Sequence, residues 1–117
     1  MDTRLDQALE FVNYRQTLNN QLHKLKIKTE GLLIFAQNGG KFTITQQLIC
    51  FVDYVVRNGY TETVLIDDNG SPTRINDTIE FLKTISGRYF DVTNQYCAET
   101  HAIKKLRNVK SILDIKD

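Results

Sequence analysis

Cys97 and His101 stand four residues apart in a stretch with helical spacing, which places a thiol and an imidazole on one helix face. Such a pair is half of a zinc site. A closed site needs two more ligands, and the other soft candidates, Cys50 and His23, sit in no paired motif. Cys97 therefore reads as a small buried residue at the edge of a helical stripe, and His101 as a half-exposed polar one. No Glu-x-x-His pair is present, so a di-iron bundle site is not expected.

Asp67-Asp68-Asn69-Gly70 resembles part of a calcium loop. An EF-hand places Gly at its sixth loop position, which would put Leu65 at the first and Asn76 at the twelfth. Leu65 cannot ligate, and Asn76 offers no bidentate carboxylate. Asn-Gly is instead the strongest short-range signal for a two-residue hairpin turn. Gly39-Gly40-Lys41 resembles part of a Walker loop. It lacks the upstream Gly, carries Phe42 where Ser or Thr is needed, and follows a helix. Neither Gly-x-Ser-x-Gly nor His-Glu-x-x-His occurs. No catalytic, cofactor-binding or metal-ligating residue is assigned, and a small metal-dependent enzyme is left as a remainder.

Two basic clusters carry more weight. His23, Lys24, Lys26 and Lys28 lie in the first helix, and His101, Lys104, Lys105, Arg107 and Lys110 late in the last. The second cluster can take phosphates. It equally suits the negative end of its own helix dipole. No aromatic residue interrupts positions 104–110, which gives base stacking little support. The net charge of +1 argues against a surface that binds nucleic acid throughout. Phe81 and Phe90 lie off the main apolar stripe of the last helix, which marks them as candidates for a partner interface.

The elements that position these residues follow from periodicity. From Leu82 on, apolar residues recur at Ile85, Tyr89, Val92, Tyr96, Ile103, Leu106 and Leu113, with one slot missed near Glu99. Asp77, with Glu80 as capping-box partner, or else Asn76, starts this helix, and Asn108 is a candidate break. Phe11, Leu18, Leu25 and Leu32 form a similar stripe, widened by Leu5, Ala8, Val12, Tyr14, Leu22, Phe35 and Ala36. The spacing predicts a first helix from about residue 3 to 37, stopped by Asn38-Gly39-Gly40. Gly31 would mark a bend or a close helix crossing. Thr43-Ile44-Thr45-Gln46 reads as a capping box for a short and deeply buried helix ended by Asn58-Gly59. Residues 62–75 read as a hairpin about Asn69-Gly70. That turn would pair Ile66 with Thr73 and Val64 with Ile75, all on the core face.

The reading is a mainly α protein: two long amphipathic helices plus one short helix, with a β-hairpin packed alongside, in a single helical domain over 1–117. Antiparallel packing of the long helices is expected. Hydrophobic residues at 41% and charged residues at 25% match ordinary globular chains. Residues 1–10 are polar and acidic, so no secretory leader is expected. Two cysteines are too few for a disulfide framework.

Asn38-Gly39-Gly40-Lys41-Phe42-Thr43, the run from Thr63 to Gly70, and Tyr89-Phe90 with Thr93-Asn94-x-Tyr96 resemble small proteins of T4-like myophages of marine cyanobacteria. The resemblance implies a host-cell cytoplasm or a virion. It implies a small helical virion part, assembly factor or adaptor for host machinery, and it carries no site residue. The expected function is a non-enzymatic interaction module acting by oligomerisation or by docking on a larger complex. The alternative is a nucleic-acid-associated or transcription-regulating adaptor that uses the late basic face. No cofactor is expected. Added calcium should leave the melting temperature unchanged in a thermal denaturation series, since the loop fails at its first and twelfth positions.

Overall fold

A computed structural model describes the backbone of residues 3–116 and the side chains of residues 3–106. The order is α1 (Thr3–Leu32), β1 (Ile34–Gln37), β2 (Gly40–Thr43), α2 (Gln46–Arg57), β3 (Thr63–Ile66), β4 (Pro72–Ile75) and α3 (Thr78–Lys116). The mainly α reading holds, with α1 and α3 long and α2 short. The chain falls into two units, one formed by Met1–Lys28 with Gln95–Asp117 and the other by Thr29–Asn94. Of Asp2 and Thr3, either of which the sequence offers as cap of α1, Asp2 lies outside the described residues and Thr3 is the first residue of the helix.

The unit Thr29–Asn94 holds two hairpins, not one. The helix expected to reach residue 37 stops at Leu32, and Ile34–Gln37 pairs antiparallel with Gly40–Thr43. Asn38-Gly39, read from sequence as a helix stop, is the two-residue turn. Both residues have positive φ, 53° and 80°, as a type I′ turn requires. The strand conformation brings Phe35 against the Phe81 ring, with centroids 5.9 Å apart.

The second hairpin pairs Thr63 with Ile75, Val64 with Arg74, Leu65 with Thr73 and Ile66 with Pro72. This is one residue away from the expected register, and a slip of one turns every side chain of a strand to its other face. Leu65 is accordingly buried, while Val64 and Ile66 are 46% and 66% exposed. Asp67 is the cause. Its Oδ1 accepts from the N–H groups of Asn69 and Ser71, and its own N–H donates to the Ser71 carbonyl. The connection is thereby a five-residue loop, 67–71, closed by an aspartate turn. Gly70 has φ of 80°, and Asn69 does not share the positive φ expected of it.

The helix cap lies two residues later than expected, and with Leu48 three residues on it is a single cap and not a box. Thr45 caps α2, accepting from the Leu48 N–H, and the hydroxyl of Thr43 donates to Asp68 instead. Asn58 closes α2 by donating to the Tyr54 carbonyl. Only part of α2 is covered: Val52 and Val55 are buried, but Phe51 and Tyr54 are exposed. Asp77 starts α3 as expected, its Oδ1 accepting from the Glu80 N–H. The helix then passes through Asn108 without a break. Gly31 faces open space, so no close crossing depends on it.

Phe42, Ile44, Val52, Leu65, Ile75, Phe81 and Ile85 form the core of this unit. Phe81 sits at its centre, tilted against Phe35 and edge-on to Phe42 at 5.7 Å. Such aromatic pairs contribute beyond their area, by about 0.5–1.5 kcal/mol each. Thr78 is fully buried, and its hydroxyl donates to the Tyr60 carbonyl.

In the other unit the shielded residues of α1 are Tyr14, Leu18, Leu22 and Leu25, and those of α3 are Tyr96, Glu99, Thr100 and Ile103. Lys28 Nζ reaches Glu99 Oε1 at 3.5 Å. This bridge joins the end of one segment to the beginning of the other, the contact that antiparallel helices make. The gap in the α3 stripe is thus filled by an ion pair. Phe11, Leu32 and Leu106, expected on the inner stripes, are exposed.

Gly40 supplies a stringent check of the hairpin packing. A Cβ built there would lie 2.5 Å from Thr73 Oγ1 and 2.9 Å from its Cγ2, and Thr73 is itself buried. Gly40→Ala should cost about 1–3 kcal/mol, as overpacking does. Thr73→Ala in the same chain should recover most of that loss. Urea denaturation of the two single variants and the double variant reads the coupling.

Candidate functional site

The acidic loop after β3 is the most densely bonded polar feature. Asp67 Oδ2 accepts from the Lys41 N–H at 3.1 Å, while Oδ1 serves Asn69 and Ser71. Asp68 Oδ1 accepts from the Thr43 N–H at 3.2 Å, and Oδ2 takes the Thr43 hydroxyl at 2.6 Å. The Asp68 N–H donates to the Lys41 carbonyl. The loop thus lies along the outer edge of β2 and binds it as a third strand would. Bonds from Ser71 and Lys41 to the Asp67 carboxylate, then from Asn69, hold its pKa below the ordinary aspartate value. These oxygens face N–H and O–H donors, which is a structural clasp and not a cation site.

Cys97, expected to be buried, and His101, expected to be half exposed, are both exposed on α3. Among the described residues no three His, Cys, Asp or Glu side chains converge in a way that could hold a metal ion. Of the late basic cluster, His101, Lys104 and Lys105 are exposed, and at about 100° per residue they share one helix face. The side chains of Arg107 and Lys110 lie outside the described residues. No ion pair reaches His101, Lys104 or Lys105 among the described residues.

The two aromatic candidates part company. Phe81 is 1% exposed and belongs to the core, so it is unavailable to a partner. Its offset from the stripe reflects a broad inner face of α3, on which both Phe81 and Leu82 find cover from two hairpins and α2. Phe90 is 61% exposed, with its ring edge-on to Tyr89 at 6.1 Å.

The larger apolar surface lies where sequence reasoning did not place it. Leu5, Leu9 and Val12 are each half exposed or more. They fall within about 60° of one another on α1, on a face roughly 150° from Leu18 and Leu25. A single-stripe reading merged these two faces. Plotting the residues around the helix separates them, because 5, 9 and 12 follow i, i+4, i+7 on their own. On the second hairpin Val64 and Ile66 form another apolar pair, hidden from sequence reading by the one-residue register error.

Among the described residues no helix is long and apolar enough to cross a membrane. Compared with protein-family models, curated proteins and solved structures, the chain matches none.

The clasp makes a pH signature. The pKa of Asp67 is lower folded than unfolded, so its contribution to stability is fully present above the unfolded value of about 3.9 and is lost as pH falls through the folded value. Asp67→Asn should therefore be clearly less stable than the parent at pH 6, and the gap should shrink as pH drops below about 4. Urea midpoints of both proteins between pH 3 and 6 test this; a gap independent of pH would contradict it.

Proposed function

We propose that the protein is a non-enzymatic interaction and assembly module, phage-encoded, that acts by oligomerising or by docking on a larger complex in the host cytoplasm or the virion. One observation carries the reading. The first part of α1 is apolar on two faces, and Leu5, Leu9 and Val12 on the second face stay half exposed or more. A helix apolar on more than one side is one whose cover comes from elsewhere. Phe90 at 61% exposure adds an aromatic ring of the kind that anchors interfaces.

A second reading, a nucleic-acid-associated adaptor, draws on His101, Lys104 and Lys105. These groups stand exposed on one face and free of ion pairs among the described residues. Such a site would bind through phosphate contacts, with affinity that falls steeply with salt.

Light scattering over a concentration series, together with analysis of what co-purifies from cells, tests the first reading. A discrete oligomer or a stoichiometric protein partner is expected. Leu9→Asp and Phe90→Asp should each weaken that association while circular dichroism keeps the helical signal, because neither side chain belongs to the core. A stable compact monomer with no partner would overturn the reading. Salt-sensitive nucleic acid, lost on replacing Lys104 and Lys105 by Glu, would favour the second.

A further inference from the structure

The two hairpins present four strand edges, and on three of them other groups of the chain bond to the outward backbone. The outer edge of β2 is bound by Asp67 and Asp68. On β1, Arg88 donates to the Ile34 carbonyl at 3.3 Å. On β4, the Arg74 carbonyl accepts from Asn38 Nδ2 at 2.8 Å. Among the described residues the fourth edge, β3, has no such bond.

The direction of its backbone groups follows from the register. Asp67 and Ser71 form a hydrogen-bonded pair. Alternation along an antiparallel ladder makes Leu65 with Thr73, and Thr63 with Ile75, the next such pairs. The N–H and C=O groups of Val64 and Ile66 therefore point away from β4. Pro72, which has no N–H to give, stands opposite Ile66 in agreement with this. Among the described residues no hydrogen bond from outside the hairpin reaches Val64 or Ile66. Natural edges are blunted by lysine, proline or a bulge. Thr63-Val64-Leu65-Ile66 has none of these, and its Val64 and Ile66 side chains are 46% and 66% exposed.

Charge selects the occupant. Residues 62–75 carry Glu62, Asp67 and Asp68 against Arg74 alone. Glu62 precedes the strand, the two aspartates follow it, and Arg74 lies 3.6 Å from Glu62. A second copy pairing antiparallel about Leu65 would set Glu62 against Asp68 at both ends, which like-charge repulsion disfavours. A strand with basic ends meets the opposite situation.

We propose that β3 is a docking edge for an extended peptide segment of another protein, with apolar side chains at alternate positions and lysine or arginine at both ends. The segment adds a third strand to the hairpin. Its N–H and C=O groups pair with those of Val64 and Ile66. Its alternate side chains lie beside Val64 and Ile66, and its basic ends lie in the negative field of Glu62 and of the 67–68 loop, whose carboxylate oxygens stay in their clasp. This deepens the reading of the protein as an interaction module. It concerns a surface distinct from the α1 face, so either can fail alone.

The test uses the full chain and two synthetic nine-residue peptides. Both have valine at alternate central positions; one ends in lysine pairs and the other in glutamate pairs. Fluorescence anisotropy should show the basic-ended peptide binding at least tenfold more tightly. Backbone NMR should place the largest shifts at Thr63–Ile66, with slowed amide exchange at Val64 and Ile66. Val64→Pro removes an outward N–H without touching the ladder to β4, and Ile66→Lys places a guarding charge on the exposed face. Each should weaken binding by tenfold or more while the thermal midpoint stays near that of the parent. Leu9→Asp should leave this binding unchanged, which separates it from association through α1. Three outcomes would each overturn the proposal: equal affinity for the two peptides, full binding by both folded β3 variants, or a dimer abolished by Val64→Pro that binds neither peptide.

Discussion

The Asp67 carboxylate governs two hairpins at once. One oxygen gathers the N–H groups of Asn69 and Ser71 and so fixes a five-residue loop. The other takes the Lys41 N–H and ties that loop to β2. From the first contact follows the register of β3 against β4, and from the register follows which residues of β3 are buried. Leu65 joins the core because Asp67 closes the loop where it does, and Val64 and Ile66 face outward for the same reason. An isolated two-stranded hairpin is marginal in water. Here each hairpin lends the other what a third strand would supply.

The aromatic centre depends on this arrangement. Phe42 comes from β2, Phe35 from β1 and Phe81 from α3, and the rings meet only if both strands of the first hairpin are extended. A helix continued to residue 37 would abolish β1 and its pairing with β2. Gly40 shows how tightly the hairpins are fitted, since even a methyl group there would collide with Thr73. The buried polar side chains are likewise accounted for. Among the described residues no buried side-chain nitrogen or oxygen lacks a partner. Thr78, Thr73 and Asp67 are buried polar groups inside or beside an apolar core, and an unmet one would cost about 1–3 kcal/mol.

Much of this was legible in the sequence, and the failures have physical causes. The α3 stripe was readable because a 3.6-residue period persists from Leu82 through Tyr89 and Val92 to Ile103. The Asp77 cap and the Asn58 stop were readable because they are local: each uses atoms within four residues. What escaped was non-local. Asn38-Gly39 and Asn69-Gly70 are identical dipeptides, yet only the first forms the two-residue turn with positive φ at both residues. The second gives way to Asp67, whose bond to Lys41 crosses 26 positions. Thr43 has the local spacing of a helix cap, but Asp68, 25 positions away, takes its hydroxyl. Phe81 reads as an interface candidate and is core, because helical spacing gives the position of a side chain around the axis but not the width of what covers it.

The same limit explains why the exposed apolar surfaces were only half visible. An apolar residue on a helix signals burial somewhere, and a stripe reading assumes that all such residues point to one place. On α1 they do not: Leu18 and Leu25 are shielded, while Leu5, Leu9 and Val12 occupy a separate face and stay open. On β3 the exposed pair Val64 and Ile66 arises from a register that no pattern of β3 itself encodes, since either parity of that strand offers apolar side chains. These surfaces do not result from a loose core. Phe81, Ile85, Val52 and Ile75 are shut off from water to within 1%. Among the described residues the chain closes its interior, bonds side chains to three of its four strand edges, and leaves β3 and the second face of α1 apolar and exposed. Apolar exposure beside a core so fully closed supports the proposal that the protein binds through those surfaces.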